Sequence, residues 1–185
     1  FRVSAHTRSF EDRLISIGLP YKIIGGSRFY ERKEIKDIIA YLRLINNSLD
    51  NLAFERIINT PRRGIGKTTL SKISHIARLN NLSMFEATKE FIQSTGLKIN
   101  NEIFIFVQNV LKWQKVKDKF HHIELAQAII EDTKYIDYLE QEEKKSKNPE
   151  SLNRIDNIKE FIESLKDFEN LEGFLEHVSL VMENI

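Results

Sequence analysis

The sequence contains no cysteine, few prolines and glycines, and no long apolar run. Without cysteine the chain can form neither a disulfide nor a thiolate metal site, which fits a reducing compartment such as the cytoplasm. No stretch approaches the roughly eighteen consecutive apolar residues that indicate a membrane span. Charged residues interrupt the first residues, so no signal peptide is predicted. We therefore expect a cytoplasmic chain without a membrane partner.

The sequence also lacks a recognisable catalytic constellation. No histidine has a partner at the helical spacing that predicts a metal site, and no serine lies in a nucleophile-elbow sequence. The carboxylate pair Glu142 and Glu143 falls in a run of mixed charge, where solvation by water is expected. We predict no catalytic residue and neither a metal nor a cofactor site in this chain.

The length and charge of the chain indicate its domain count and the kind of partner it suits. The chain has 185 residues, 41% apolar and 30% charged, which is typical of a globular protein of one domain with part of another. Residues 1–93 hold 16 Lys and Arg against 9 Asp and Glu, a balance of +7, and residues 94–185 hold 12 against 18, a balance of −6. The first half is therefore the candidate surface for a polyanion, and the second suits another protein.

Apolar residues at helical spacing dominate the chain after Phe29. They predict helices over residues 31–46, 51–58, 68–79, 84–92, 102–119, 123–130, 135–142, 152–165 and 171–182, with an exposed loop over 140–149. Before Phe29, a helix over residues 9–17 and a strand over 20–24 form a piece of an α/β domain too short to fold alone. The predicted fold class is mainly α, a multi-helix bundle with a small α/β remnant at the N-terminus, as expected for part of a longer protein.

The segment of residues 59–69, which we call the hinge, separates two of these helices. Gly64 and Gly66 lack a Cβ, so the backbone can adopt a positive φ there and approach a bulky anion closely. Ile65 between them is expected to point back into the core. These three residues favour a tight turn that exposes backbone N–H groups to a ligand.

The hinge runs into the next helix through Lys67, Thr68 and Thr69. Unpaired N–H groups and the positive end of the helix dipole favour a phosphate oxygen at such a helix start. Arg62 and Arg63 add positive charge beside it. A Gly-apolar-Gly turn between helices is typical of helix-hairpin-helix modules, which hold a nucleic-acid backbone without reading bases.

Two other interpretations of the hinge stay open. Gly66-Lys67-Thr68 ends like a Walker A loop, but that motif needs a glycine where Pro61 stands and a strand where this chain has a helix. The hinge also fits a glycine-rich turn whose cations are solvated.

The helix predicted over residues 31–46 carries a basic stripe beside its apolar face. Arg32, Lys36 and Arg43 fall within about 40° of one another around the helix axis. The alternative is a solvated surface whose cations pair locally, for instance Arg32 with Glu31 or Glu34.

A long ordered string of residues is specific enough to compare with a known family: Arg2, Ser4 to Arg8, Phe10-Glu11, Leu19 to Asp37, Ala40 to Leu44 with Asn46, and Phe54 to Gly66. This string resembles superfamily 1 DNA helicases of the UvrD/Rep/PcrA family. Beyond Gly66 the match is looser, although Asn153 to Ile158 resembles the close of the same region. The resemblance covers most of the chain.

The resemblance implies a domain organisation and an activity for the parent protein. Residues 1–30 would end the first part of the RecA-like 2A subdomain, and residues 31–185 would form the helical 2B subdomain inserted into it. Members of this family are ATP-dependent 3′-to-5′ translocases that unwind DNA in repair and replication. Their residues for ATP and Mg lie outside this stretch, so this chain alone is expected to be inactive.

The resemblance also implies which residues meet DNA. The 2B subdomain would contact duplex DNA and the single/double-strand junction, with Gly66 and Thr69 against the backbone and Lys36 assisting. The full predicted set is Lys36, Arg43, Arg62, Arg63, Gly64, Ile65, Gly66, Lys67, Thr68 and Thr69. Arg2 and Ser4 match single-strand contacts, but Ser4 and His6 stand where the family has Asn and Gln. The shorter donor at Ser4 would weaken the single-strand contact.

A protein-interaction module is the rival interpretation. Its acidic second half, with Phe104, Trp113 and the charged loop, would dock DNA-repair proteins while the hinge is merely solvated. We expect core or interdomain packing from both aromatic residues, because their surroundings are not basic enough for base stacking.

Overall fold

The computed structural model describes residues 27–145 and 153–183. The helix expected over residues 9–17, the strand expected over 20–24 and the single-strand contacts Arg2 and Ser4 lie outside this part. Every regular element within it is helical, which confirms the expectation of a mainly α fold. None of these helices is both long and apolar enough to cross a membrane.

The described residues form ten α-helices and one 3₁₀ turn. In chain order they are α1 (Ser27–Tyr30), α2 (Lys33–Asn46), α3 (Asn51–Ile57), α4 (Lys67–Asn80), α5 (Met84–Thr95), α6 (Glu102–Val116), α7 (His122–Asp132), α8 (Tyr135–Lys145), α9 (Arg154–Ser164), the 3₁₀ turn Leu165–Asp167 and α10 (Leu171–Glu183). Each helix expected after Phe29 is present as one of α2 to α10. Helix α2 begins at Lys33, not at Glu31, because Arg32 has an extended backbone with φ −61° and ψ 138°.

Helix α8 departs from the sequence expectation. It continues to Lys145, so the exposed loop expected to start at Glu140 is wrong for residues 140–145. Glutamate, glutamine and lysine are good helix formers, and Lys144 and Lys145 lie at the C-terminal end, where the helix dipole favours cations. The rest of the expected loop, residues 146–149, lies outside the described ranges.

Five helices begin at a side chain that caps them. Asp50, Ser83, Asn101, His121 and Asn170 each accept a hydrogen bond from a backbone N–H group in the first turn of α3, α5, α6, α7 and α10. Such a cap stabilises a helix by about 1 kcal/mol. Helix α4 differs, because its N-cap residue is Gly66, which has no side chain.

Helix α2 lies at the centre of the bundle and contacts α3, α6, α7, α9 and α10. Its expected apolar face is confirmed, since all five of its members are buried: Ile35, Ile38, Ile39, Leu42 and Ile45. Tyr41 packs edge-on against Trp113 of α6, with ring centroids 5.9 Å apart. Trp113 is 1% exposed, which confirms that it packs in the core.

A buried polar network joins α2 to α9. The guanidinium of Arg32 donates to Oδ1 of Asn157, and Nδ2 of Asn157 donates to Oε1 of Glu34 at 2.7 Å. Nε of Arg154 lies 3.9 Å from Oε2 of the same glutamate. Buried polar groups need such partners, so this network holds together two segments that are far apart in the sequence.

Candidate nucleic-acid interface

The side chain of Asn59 organises the start of the hinge. Its Oδ1 accepts hydrogen bonds from the backbone N–H groups of Arg63, at 2.7 Å, and of Ile65, at 3.3 Å. Asparagine suits this position because its short amide reaches backbone groups a few residues further on. Ile65 is 5% exposed and packs into the core, as expected from the sequence. The hinge is therefore held by a polar contact and by an apolar one.

The side chain of Arg63 points into the bundle. Its Nη1 donates to the carbonyl oxygens of Ile57, at 2.6 Å, and Ile58, at 3.0 Å, and its Nη2 donates to the Tyr41 hydroxyl. The guanidinium carbon also lies 4.9 Å from the ring centroid of Phe106, within the range of a cation–π interaction. The charge of Arg63 thus lies at the C-terminal end of α3, where the helix dipole favours a cation.

The Tyr41 hydroxyl links α2 to the hinge. It accepts the hydrogen bond from Arg63 and donates its own proton to the carbonyl oxygen of Thr60 at 2.6 Å. Burial raises the pKa of Tyr41, and the charge of Arg63 opposes that rise in part. The hydroxyl is therefore protonated at neutral pH and serves as donor and acceptor together.

The two glycines of the hinge have different backbone conformations. Gly64 has a φ of +69°, in the left-handed region that favours glycine. Gly66 has a φ of −89° and a ψ of 173°, an extended conformation open to any residue. The expectation of a positive φ is confirmed at Gly64 and wrong at Gly66. A Cβ added at Gly66 would meet no atom within 4 Å, so this stretch of backbone is open to an approaching ligand.

Helix α4 begins without a cap. Its first helical hydrogen bond runs from the N–H of Leu70 to the carbonyl oxygen of Gly66 at 3.2 Å, and no side chain caps the helix. The N–H groups of Lys67, Thr68 and Thr69 therefore have no acceptor among the described residues. Lys67 and Thr68 are exposed and Thr69 is half-buried. These donors remain for an acceptor outside the bundle.

Arg62 and Lys67 carry the exposed charge of the hinge. The Arg62 side chain is 77% exposed, and its Nη2 lies 3.7 Å from Oε1 of Glu142 on α8. An ion pair so open to water contributes little to stability. Lys67 has no ion pair within the described part of the chain. Both cations can therefore meet an external anion, whereas Arg63 is engaged inside the bundle.

The basic stripe expected near α2 is divided among different contacts. Arg32 precedes the helix and turns to Asn157. Nε of Arg43 forms an ion pair with Oδ2 of Asp50 at 2.8 Å. Lys36 is half-buried and has no ion pair to any described residue.

Lys36 and Arg43 lie away from the side of α2 that contacts the hinge. At roughly 100° per residue, Lys36 lies about 140° around the helix axis from Tyr41, which binds the hinge, and only about 20° from Arg43. Along the chain, Arg62 and Lys67 flank the turn that leads into the uncapped start of α4, and we call these two the hinge cations. Lys36 and Arg43 lie on another side of α2, away from Tyr41, and form a second cationic surface.

Sequence reasoning does not single out Asn59 or Tyr41 as part of this site. The available signal for Asn59 is an amide side chain just before a glycine-rich turn, where it can bind backbone N–H groups. Tyr41 gives no such signal, because a tyrosine on the buried side of a helix indicates core packing.

The fold and the hinge define a helical bundle in which a glycine-containing turn leads into a helix without a side-chain cap. The sequence model of the UvrD-like helicase C-terminal domain family matches residues 1–184, and the chain belongs to that family.

The chain is also similar, over almost its whole length, to proteins named as DNA helicases. The chain is 41% identical over 185 residues to a probable DNA helicase II homolog of Rickettsia felis, covering 99% of the chain and 28% of the relative. It is 39% identical over 189 residues to the ATP-dependent DNA helicase PcrA of Bacillus subtilis, covering 98% of the chain and 25% of the relative. The chain therefore spans about a quarter of the length of these relatives.

Proposed function

We propose that this chain supplies the 2B subdomain, residues 31–185, of an ATP-dependent 3′-to-5′ DNA helicase that acts in DNA repair or replication. Residues 1–30 would belong to the neighbouring RecA-like 2A subdomain. Support comes from membership of the UvrD-like family and from relatives that are named DNA helicases. ATP and Mg would bind elsewhere in the parent protein, and the task of this chain is to hold duplex DNA at the junction.

The observation that carries this proposal is the uncapped start of α4. The N–H groups of Lys67, Thr68 and Thr69 have no acceptor among the described residues, and the backbone at Gly66 is open. A phosphate oxygen is a suitable acceptor there, because backbone donors and the helix dipole both favour an anion. Contacts of this kind go to the DNA backbone and carry no direct sequence information.

The cations around this helix start would also contact the DNA backbone and add affinity that does not depend on sequence. Lys67 and Arg62 are exposed and would neutralise phosphates next to the N–H donors. Lys36 and Arg43 would hold a second part of the same duplex from α2. Binding through phosphates releases counterions, so affinity would be independent of sequence and would fall steeply with salt. That property suits an enzyme that moves along any DNA.

In the proposed mechanism, the hinge holds the duplex on one side of the junction. Movement of the absent ATP-driven domains would pull one strand while the hinge holds the duplex. The hinge can resist that pull because Asn59, Arg63 and Ile65 tie it to the bundle. The two strands would then separate at the junction.

The test compares two exposed lysines on α4 in the full-length protein. Lys67→Gln removes the cation at the helix start, and Lys72→Gln removes an exposed cation about 140° further around the helix. Affinity for a 3′-tailed duplex is measured across a range of salt concentrations. We expect the slope of log affinity against log salt to lose about 0.9 with Lys67→Gln and to stay unchanged with Lys72→Gln. Equal slopes in all three proteins would contradict the proposal.

The rival role as a protein-docking module receives less support. Trp113 is buried in the core and donates its Nε1–H to Oδ2 of Asp132 at 2.9 Å, so it offers no surface to a partner. Of the other features named for docking, Phe104 on α6 is half-buried, and the acidic charge of the second half still favours a protein partner.

A further inference from the structure

We infer that Arg63 is a positioning residue, which sets the path of the hinge for DNA and does not itself hold a phosphate. This inference rests on the proposed function. It reverses the role that the charge of Arg63 suggests, and it separates Arg63 from its neighbour Arg62.

The contacts of Arg63 reach three parts of the bundle. Its fork of N–H donors spans two carbonyl oxygens at the end of α3, those of Ile57 and Ile58, and the Tyr41 hydroxyl on α2. Its guanidinium carbon lies 4.9 Å from the ring centroid of Phe106 on α6. A planar fork that bonds in several directions and also lies over an aromatic ring is a geometry that lysine cannot reproduce. The position therefore requires arginine for shape as well as for charge.

The backbone of Arg63 transmits this anchoring to the DNA-facing residues. Its N–H group is held by Asn59, and the next residue, Gly64, reverses the chain with a positive φ. Ile65 then enters the core, and Gly66 leads directly into α4. The placement of the N–H donors at the helix start thus depends on where Arg63 is fixed. Without that fixed point, DNA binding would have to order the hinge as well as contact it.

Arg62 provides the matched comparison within the same hinge. Its side chain is 77% exposed, and its one ion pair to a residue that the structure describes is the 3.7 Å pair with Glu142. Arg62 is therefore available to a phosphate, while Arg63 is committed to the bundle. Of these two adjacent arginines, Arg62 would contact DNA and Arg63 would position the hinge.

The experiment measures the salt dependence of binding to a 3′-tailed duplex with the full-length protein. Arg62→Ala removes a phosphate cation and is expected to reduce the salt slope by about 0.9. Arg63→Ala and Arg63→Lys are both expected to lower affinity roughly tenfold at every salt concentration while the slope stays at the wild-type value. The lysine variant is decisive, because it keeps the charge and loses only the fork.

Tyr41→Phe provides a milder variant of the same anchor. It removes the hydroxyl that accepts from Arg63 and donates to Thr60, while the ring can stay against Trp113. We expect a smaller parallel loss of affinity with an unchanged slope. This variant carries the test if the Arg63 variants do not fold. Binding is compared well below each protein's unfolding temperature, so that only folded protein is measured.

The outcomes separate the two proposals. Wild-type affinity in Arg63→Lys, a slope reduced by Arg63→Ala, or a lower unfolding temperature with unchanged affinity of the folded protein would each overturn the positioning role. In those cases duplex binding and the effect of Lys67→Gln would still support the proposed function. A wild-type protein that binds no DNA would overturn the proposed function itself.

Discussion

The Tyr135 hydroxyl donates a hydrogen bond to Oδ2 of Asp37 at 2.7 Å, joining α8 to α2 across 98 positions of the sequence. Oδ1 of the same carboxylate accepts from Nε of Arg56 at 2.8 Å, so both oxygens of Asp37 have a partner. Burial nevertheless raises the pKa of Asp37 above its usual value of 3.8, against the opposing effects of Tyr135, Arg56 and Lys33.

The first prediction concerns the pH dependence of stability. Because the pKa of Asp37 is higher in the folded state than in the unfolded state, the folded state binds the proton more tightly. The contribution of Asp37 to stability therefore falls as pH rises from about 3.9 to the raised pKa, and is constant above it. The difference in free energy of unfolding between wild type and Asp37→Asn should follow this trend in denaturant titrations. A difference that is independent of pH, or one that grows with pH, would contradict it.

The second prediction separates the two glycines of the hinge. Gly64→Ala forces a residue with a Cβ into a left-handed conformation and should cost about 1–2 kcal/mol of stability. Gly66→Ala meets no steric obstacle. Alanine is a weaker N-cap than glycine, which destabilises the folded state, but it also lowers the entropy of the unfolded chain, which stabilises the protein. The two effects oppose each other, so stability should change by less than about 0.5 kcal/mol. Under the proposed function Gly66→Ala should still weaken duplex binding, because the added methyl group would lie where a phosphate approaches. Thermal unfolding should show the loss of stability in Gly64→Ala, and DNA titration should show the loss of binding in Gly66→Ala.

The third prediction tests the role of Asn59. Asn59→Ala leaves the backbone N–H groups of Arg63 and Ile65 without their acceptor and should destabilise the protein by about 1–2 kcal/mol. Asn59→Asp keeps an acceptor oxygen of the same size and should cost less. Chemical denaturation of the three proteins is the measurement, and equal stability of the alanine and aspartate variants would refute the role.

The fourth prediction concerns the polar network between α2 and α9. Asn157→Leu removes the partner shared by Arg32 and the buried carboxylate of Glu34, and should cost about 2–4 kcal/mol. Asn153→Ala is the matched control at the N-cap position directly before the same helix, because Asn153 is exposed and its side chain makes no capping hydrogen bond. It should change stability by less than about 0.5 kcal/mol. Similar losses in both variants would show that the network has no special role.

The fifth prediction asks whether the two cationic surfaces contact the same DNA. If they do, Lys36→Gln should lower the salt slope of duplex binding by about 0.9, and the effect should add to that of Lys67→Gln. Lys115→Gln, which removes an exposed lysine from α6 in the acidic half, serves as control and should leave the slope unchanged. A slope unaffected by Lys36→Gln would restrict DNA contact to the hinge.

Much of the fold was predictable because its signals are local. Apolar spacing identified α2 to α10, and the buried face of α2 followed from five apolar residues on one helix. The end of α8 was not predictable in the same way. Charged residues such as Glu142 and Lys145 suit an exposed loop and a solvent-facing helix equally well, and the structure has the helix, which continues to Lys145.

The sequence by itself determined the helical elements, the position of the hinge and the family, because helix periodicity and a long ordered string of matching residues can be read along the chain. Only the tertiary structure decided what the residues of the hinge do. Arg62 and Arg63 have the same side chain, but Arg63 alone reaches the Tyr41 hydroxyl, 22 positions away, and the ring of Phe106. Those partners belong to other helices, so the direction in which each arginine points becomes known only when the helices are packed together.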